Sequence, residues 1–246
     1  MSTTSRDKLL SEIRSYCAAH ANPALATKYA RYFKEGYDAW GLLDNKHEIW
    51  TVKQPEWQDR YHGLGLAGFL RLGEDLFPSG KYEEGALAIR FVKSYAEEIG
   101  PKALPGLARW FAAGIANWAH TDVLCAEILS PALQHGRIKL ADLEPWRPAP
   151  FPYQRRAVPV AMLGLLKSPV DARDLLEFIT PFMADPERVV HQGTGWFLRE
   201  LWKKKPAPVE AFLLHWKNTA PRLIFQYATE KMSAEQRGRF KREKTR

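Results

Sequence analysis

The stretch Leu107-Ala-Arg-Trp-Phe111-Ala-Ala-Gly-Ile115-Ala-Asn-Trp118-Ala-His-Thr-Asp122 carries its apolar residues at helical spacing. From Leu107, the positions Phe111, Ile115, Trp118 and Asp122 follow at steps of four, four, three and four residues, which is the repeat of one helix face. Similar stripes recur along the rest of the chain, whereas the two-residue alternation of a strand is not sustained anywhere. The sequence therefore predicts an all-α fold of about a dozen short helices.

Proline-containing turns separate these stripes, for example at Asn22-Pro23, Gly100-Pro101, Ser130-Pro131 and Lys205-Pro206. Since a proline in the first helical turn loses no hydrogen bond, many of these turns predict helix starts. Many short consecutive helices indicate either a bundle or a solenoid of helix pairs. The proline-rich stretch from Glu144 to Pro152 predicts an extended connector inside one continuous domain.

The composition excludes several classes of protein. The chain has 246 residues, of which 46% are apolar and 26% charged, and these values are typical of a globular protein. Cys17 and Cys125 are its only cysteines, which excludes a disulfide framework and a four-cysteine zinc site. The chain has neither an apolar run of membrane-spanning length nor a signal peptide, and it lacks the common phosphate-binding, serine-hydrolase and zinc-protease motifs. We expect a cytoplasmic protein with no metal, cofactor or membrane partner.

The net charge of +8 is concentrated at one end of the chain. Residues 199–246 contain 13 basic and 5 acidic side chains, whereas residues 1–198 contain 23 of each. The densest part, 237–246, is predicted to be a basic C-terminal tail that follows a domain of residues 1–236. Such a tail either contacts phosphates without sequence preference or is a solvated terminus that only aids solubility.

Three segments have residues that are unusual for a structural core. Asp122 ends an apolar stripe one turn after Trp118, so it is paired, protonated or near a cleft, or it caps the helix that begins at Val123. Arg155 and Arg156 open an apolar run, where each either pairs with a carboxylate or grips a phosphate. Two glycines precede Trp196, which is either an ordinary core residue or part of a site with one exposed aromatic face.

Together these segments resemble the DNA alkylation repair family of HEAT-like-repeat alkylpurine glycosylases. The resemblance covers about Tyr29 to Met232. It rests on Tyr29-Ala-Arg-Tyr-Phe-Lys34 before Trp40-Gly41-Leu42, on the Trp118-x-x-x-Asp122 pair, on Arg156 in Arg155-Arg156-Ala157, and on Trp196 in Gly195-Trp-Phe-Leu-Arg-Glu200. One departure is Ala119, because the family often has a second acidic residue straight after the first tryptophan.

The resemblance implies a right-handed α-solenoid of HEAT-like helix pairs whose basic concave face holds duplex DNA. It implies that the protein excises cationic alkylated purines, such as 3-methyladenine and 7-methylguanine, by hydrolysis of the N-glycosidic bond and without lyase activity. Asp122, Trp118, Trp196 and Arg156 are then the expected catalytic residues. The expected DNA contacts are Tyr29, Lys34, Arg155, Arg199, Lys203 and Lys204. We expect a monomer that associates with the nucleoid when it binds DNA.

Two other functions remain open at the level of sequence. A non-catalytic HEAT-like-repeat protein would bind branched or distorted DNA without releasing a base. A scaffold for other proteins, which is a common use of α-solenoids, would bind DNA weakly. The concentrated positive charge favours the two DNA-binding hypotheses over the scaffold.

Overall fold

A computed structural model describes residues 4–34, 36–42, 46–167, 169 and 171–243 of the chain. In this part of the chain there are 14 α-helices and no strand, and helices account for 75% of the residues. The predicted all-α class is therefore confirmed, and the succession of short packed helices is that of an α-solenoid. The chain divides into two compact units, Met1–Leu124 and Cys125–Arg246.

Seven α-helices form the first unit: α1 (Ser5–Ala19), α2 (Pro23–Ala30), α3 (Gln54–Arg60), α4 (Gly65–Leu76), α5 (Tyr82–Lys93), α6 (Leu104–Ala113) and α7 (Trp118–Leu124). Helix α4 packs against α1, α5 and α6. Gly73 permits the close approach of α6, because a Cβ atom at this position would lie 2.4 Å from the indole of Trp110. That indole donates a hydrogen bond of 2.8 Å to the carbonyl of Leu70, so a polar contact completes this apolar interface.

The buried carboxylate of Glu83, on α5, anchors the loop that follows α2 in the chain. Glu83 has no exposed surface, and its oxygens accept hydrogen bonds of 2.8 to 2.9 Å from the backbone N–H groups of Trp40, Gly41 and Leu42. The neighbouring Glu84 accepts from the indole of Trp40 and pairs with Arg14 of α1. Burial of a carboxylate is unfavourable unless it is hydrogen-bonded, and these donors meet that requirement.

The second unit contains α8 (Ser130–Gln134), α9 (Pro152–Ala161), α10 (Ala172–Ile179), α11 (Arg188–Lys204), α12 (Pro206–Trp216), α13 (Arg222–Ala228) and α14 (Ala234–Gly238). Helix α11, with 17 residues, is central to this unit and packs against α9, α12 and α13. Pro152 and Pro206 are the first residues of α9 and α12, as the position of prolines in the sequence predicted.

The connector predicted from Glu144 to Pro152 is not extended, and this prediction was wrong. A 3₁₀ helix runs from Leu140 to Trp146, and Trp146 is buried with 3% of its surface exposed. Burial of its indole draws the chain against the unit, and this gain outweighs the preference of the neighbouring prolines for extended backbone.

The basic C-terminal segment is packed onto the second unit as far as the structure describes it. Phe240 is buried, Arg239 pairs with Glu210 at 2.6 Å, and Arg242 donates to the carbonyl of Ala220. Lys217 and Glu243 form a further pair at 2.6 Å. Residues 237–243 therefore do not form a solvated terminus, and residues 244–246 lie outside the described part.

Among the described residues, no helix combines the length and the apolar character needed to cross a bilayer.

We expect Glu83→Ala to lower the free energy of unfolding by about 3 kcal/mol, because it leaves three backbone N–H groups without their acceptor. Urea denaturation followed by circular dichroism measures the change. The control is Glu98→Ala, which removes an exposed carboxylate and should change stability by less than about 0.5 kcal/mol. An equal effect of the two variants would contradict the anchoring role of Glu83.

Candidate functional site

Trp118 begins α7 and is unusually exposed for a tryptophan, with 41% of its surface accessible. One of its faces stacks on Phe33, with ring centroids 5.7 Å apart and an angle of 19° between the planes. Its indole N–H donates a hydrogen bond of 3.4 Å to the carbonyl of Tyr32. The ring is therefore held on one face and at its nitrogen, and its other face is available to a ligand.

Asp122 lies inside α7, not at its N-terminus, so the interpretation of Asp122 as a helix cap was wrong. The cap is Asn117, whose side-chain oxygen accepts a hydrogen bond of 2.8 Å from the backbone N–H of His120. Asp122 is half-buried and follows Trp118 by four residues, so the two side chains occupy the same face of the helix. A π-helical turn, Cys125–Leu129, follows α7 directly in the chain.

An aromatic cluster of Phe33, Tyr37, Tyr82, Trp118 and His120 fixes the start of α7. Phe33 stacks on Tyr37 with centroids 4.6 Å apart and meets Tyr82 edge-on. Tyr82 in turn stacks on His120 at 4.6 Å. Stacked and edge-on pairs each add stability beyond burial, so the cluster holds Trp118 in one orientation.

His120 is buried, and its hydrogen bonds define which tautomer it adopts. Asn117 uses its oxygen as the helix cap and thus presents its NH₂ group to Nδ1 of His120, 3.0 Å away. The Nε2–H group donates to the carbonyl of Tyr82 over 2.9 Å. This network assigns the proton to Nε2 and satisfies the neutral ring. Burial lowers the pKa of His120 to about 4.

The segment predicted to contact DNA near the N-terminus begins in the last turn of α2 and continues beyond it. Tyr29 is half-buried on α2, and Lys34, after the helix, is exposed. The sequence interpretation did not include Tyr32 among the site residues. Tyr32 is 54% exposed, contacts Trp118 through its carbonyl, and carries Arg31 over its ring at 5.0 Å. Its position three residues after Tyr29 is the signal in the sequence that could have indicated it.

Arg155 on α9 forms an ion pair with a carboxylate, which is one of the two alternatives that the sequence left open. Its guanidinium binds Asp185 through two hydrogen bonds of 2.6 and 3.2 Å, and it also donates to the carbonyl of Ala149. Both partners are largely buried, with 13% and 6% of their side-chain surface exposed. A DNA contact by Arg155 would have to compete with this buried pair, whose disruption is costly.

Arg156 is buried, with 6% of its surface exposed, and lies between α9 and α11. Its guanidinium donates a hydrogen bond of 3.0 Å to the carbonyl of Val189. Gly193 of α11 makes room for it, since a Cβ atom there would lie 3.2 Å from Cγ of Arg156. The glycine thus allows an arginine to lie against the same helix that carries Trp196.

Trp196 is half-buried on α11 and lines a surface cavity of about 400 Å³. The other lining residues of this cavity are Leu163, Leu166, Lys167, Glu200, Lys203 and Lys204. Gly195 lets α13 approach, because a Cβ atom there would lie 2.5 Å from Cβ of Tyr227. Close packing on both sides of α11 therefore fixes the position of the Trp196 ring at the cavity.

The three remaining predicted DNA contacts differ in their surroundings. Arg199 pairs with Glu200 and with Glu230, and its side chain is only 18% exposed. Lys203 is exposed and pairs with Glu200. Lys204 is exposed, and its Nζ donates to the carbonyl of Leu166. Of the three, Lys204 has a neutral hydrogen-bond partner, so its charge is the least compensated.

No group of three or more His, Cys, Asp or Glu side chains suited to a metal ion occurs among the described residues.

A family model described as "DNA alkylation repair enzyme" matches residues 13–232 of the chain. Three chains from solved structures also match. One is a "Predicted DNA alkylation repair enzyme from Enterococcus faecalis", with a TM-score of 0.70 and 16% sequence identity over 87% of this chain and 98% of that chain. At this identity the similarity is one of fold. Among proteins of curated function, none matches the sequence.

The buried, neutral His120 predicts a loss of stability in acid. Its pKa of about 4 in the folded protein is lower than the ordinary 6.5, so the unfolded chain binds a proton between these pH values that the folded protein does not. Stability is therefore lost as the pH falls from 6.5 towards 4. Urea unfolding at pH 7 and pH 4.5 should show a loss about 2 kcal/mol larger in wild type than in His120→Gln.

The control for this measurement is His135→Gln, which replaces an exposed histidine and should keep the pH dependence of the wild type. If His120→Gln also kept it, the buried ring would not be the group that titrates.

Proposed function

Because the chain belongs to the family of DNA alkylation repair enzymes, we propose that it hydrolyses the N-glycosidic bond of cationic alkylated purines in duplex DNA. The family establishes a role in repair of alkylated DNA. The substrates that we propose are bases such as 3-methyladenine and 7-methylguanine, whose positive charge already weakens the bond to the sugar.

The observation that carries the proposal is the arrangement of Trp118 and Asp122 on one face of α7. Trp118 offers an aromatic face that is not covered by Phe33, and a carboxylate lies one helical turn further on. An indole attracts a cationic base or an electron-poor sugar through cation–π contacts of about 0.5–2 kcal/mol. A carboxylate stabilises the positive charge that develops on the deoxyribose as the bond breaks.

In the proposed reaction the bond between C1′ and the purine nitrogen breaks, and its electron pair leaves with the cationic base. The base thereby becomes neutral, so it needs no strong general acid. Asp122 stabilises the oxocarbenium-like sugar and orients a water molecule. The water oxygen bonds to C1′ and releases one proton to the surrounding water, and the products are the free alkylated base and an abasic site.

In the second unit, we propose a role in DNA binding for Arg156 and for Trp196, each from its own surroundings. Arg156 donates a hydrogen bond to the Val189 carbonyl and packs where Gly193 leaves room. We propose that its guanidinium binds a phosphate of the DNA backbone, because the phosphate oxygens match the planar guanidinium. Trp196 borders its cavity beside three lysines, and we assign it an aromatic contact to the lesion or its sugar.

A non-catalytic DNA-binding protein is the second candidate, and Ala119 is the observation that favours it. Ala119 is buried, with 6% of its surface exposed, at the position where the resembled family often has a second acid. A protein of this kind would bind duplex or branched DNA in a salt-dependent manner and release no base.

Asp122→Asn tests the proposed mechanism, because it preserves the shape of the side chain and removes its charge. We expect release of methylated purines from duplex DNA treated with a methylating agent to fall by about 100-fold or more. The matched control Asp59→Asn removes an exposed carboxylate in the same unit and should excise at the wild-type rate.

Excision by Asp122→Asn at the wild-type rate would refute the role of the carboxylate. Absence of release by wild type, with DNA still bound, would favour the non-catalytic candidate. Weak DNA binding that Arg156→Ala does not change would favour a scaffold for other proteins.

Hydrolysis by water leaves the DNA strand intact. We therefore expect the abasic product to be cleaved only after heating in alkali, and borohydride to trap no covalent complex between the protein and DNA, because no lysine amine attacks C1′. Gel electrophoresis with and without these treatments makes the measurement. A borohydride-trapped complex would show that the enzyme is also a lyase.

A further inference from the structure

A second, larger cavity of about 800 Å³ adjoins the cavity beside Trp196. Leu166, Lys167 and Lys204 line both, so the two cavities lie side by side in the second unit. The larger cavity adds Arg173 of α10, Lys205 and the first turn of α12 at Pro208. We call the whole feature the lysine groove, after Lys167, Lys203, Lys204 and Lys205.

The lining of the lysine groove is strongly cationic. It contains five cationic side chains and two carboxylates, those of Asp171 and Glu200. Both carboxylates are already engaged. Asp171 caps α10 through the backbone N–H of Arg173 and pairs with the Arg173 side chain, while Glu200 pairs with Arg199 and Lys203. The charges of Lys167, Lys204 and Lys205 therefore exceed what the acids of the groove neutralise.

The stability of helices accounts for only part of this concentration of charge. Lys203 and Lys204 lie in the last turn of α11, and Lys167 lies in the last turn of a separate 3₁₀ helix, where a cation interacts favourably with the helix dipole. Arg173, however, belongs to the first turn of α10, where a cation is unfavourable. Three elements thus bring cations to one groove, which indicates an anionic ligand.

The form of the groove indicates an extended anion. Lys167, Arg173, Lys204 and Lys205 are all exposed, and the groove is open, so its cations among the described residues do not enclose a small anion. Exposed lysines act as flexible point charges, which suits phosphates spaced along a strand and contacted without sequence preference. Trp196 lies at one end of the groove.

We propose that the lysine groove binds the sugar-phosphate backbone of one DNA strand, on the side of the lesion that extends away from Trp196. This inference rests on the proposed function for the position of the lesion. It adds Lys167, Arg173 and Lys205 to the expected DNA contacts. Because the contacts are to phosphates, they act equally on undamaged DNA.

The test is the salt dependence of affinity for an undamaged duplex, measured by fluorescence anisotropy between 50 and 200 mM salt, about the range in which such contacts are usually resolved. The plot of log affinity against log salt has a negative slope, and each lost phosphate contact reduces the magnitude of that slope by about 0.9. We expect the magnitude of the slope to be smaller by about 2.7 in the triple variant Lys167→Gln/Lys204→Gln/Lys205→Gln than in wild type.

The matched control is Lys8→Gln/Lys102→Gln/Lys139→Gln, which removes the same charge from exposed lysines outside the groove. Its slope should equal that of wild type, and an equal decrease in both triple variants would overturn the proposal. Lys205→Gln alone should lower the slope by about 0.9, which keeps the test valid if the triple variant folds poorly.

Neutral methylphosphonate linkages, placed singly along the damaged strand, locate the contact. Linkages on one side of the lesion should weaken binding by wild type and have no effect on the triple variant. An equal effect on both proteins would contradict the assignment.

The two proposals fail in different ways. A wild-type protein that releases no base while the triple variant loses slope would refute the glycosylase function and retain the groove. A wild-type protein that releases bases while the triple variant keeps its slope would refute the groove alone.

Discussion

The arrangement of the first unit depends on the carboxylate of Glu83. Three successive backbone N–H groups, at Trp40, Gly41 and Leu42, converge on it in the interior of the protein. A charge at this depth tolerates little displacement, because each donor that moves away leaves it less solvated. The contact ties the chain before residue 42 to α5, whose first residue is Tyr82. Tyr82 belongs to the aromatic cluster, so one buried charge governs the position of Trp118 through packed rings.

The arrangement of the second unit depends on close helix packing rather than on a buried charge. Helix α11 has glycine at the two positions where its neighbours come closest, Arg156 at Gly193 and Tyr227 at Gly195. Its charged residues are mostly engaged in local pairs, as at Arg199 and Glu200. Part of the high positive charge of the C-terminal fifth of the chain is therefore neutralised locally. Lys204 and Lys205 belong to the same fifth, and they lie in the lysine groove, where cations outnumber carboxylates.

Periodicity in the sequence was sufficient to predict the helical class and many helix starts, because burial of one helix face and the chemistry of proline are local properties. It was not sufficient wherever a tertiary contact decided between local alternatives. Asn117 and Asp122 are both good caps, and only the packing of the aromatic cluster at Trp118 selects the first. Trp146 is buried in a stretch whose prolines favour extended backbone.

The candidate site shows the same division. Chemistry and spacing identified Trp118, Asp122, Arg156 and Trp196 as residues that fit poorly in an ordinary core. The resemblance assigned different roles to Arg155 and Arg156, but residue chemistry left ion pairing and phosphate contact open for both, because which arginine meets Asp185 depends on how α9 rotates against its neighbours. Tyr32 was missed because its contact with Trp118 uses a backbone carbonyl. Every residue type has this group, so the amino-acid sequence does not indicate the contact.

The two glycines of α11 also have a consequence for how this unit folds. Glycine in the interior of a helix costs about 1 kcal/mol relative to alanine, so the segment before Trp196 has little tendency to form a helix by itself. Its stability depends on neighbouring helices, because Arg156 of α9 packs at Gly193, and Ile224 and Tyr227 of α13 cover Gly195. Helix α11 therefore becomes stable together with α9 and α13, and the ring of Trp196 takes its fixed position in the same cooperative step.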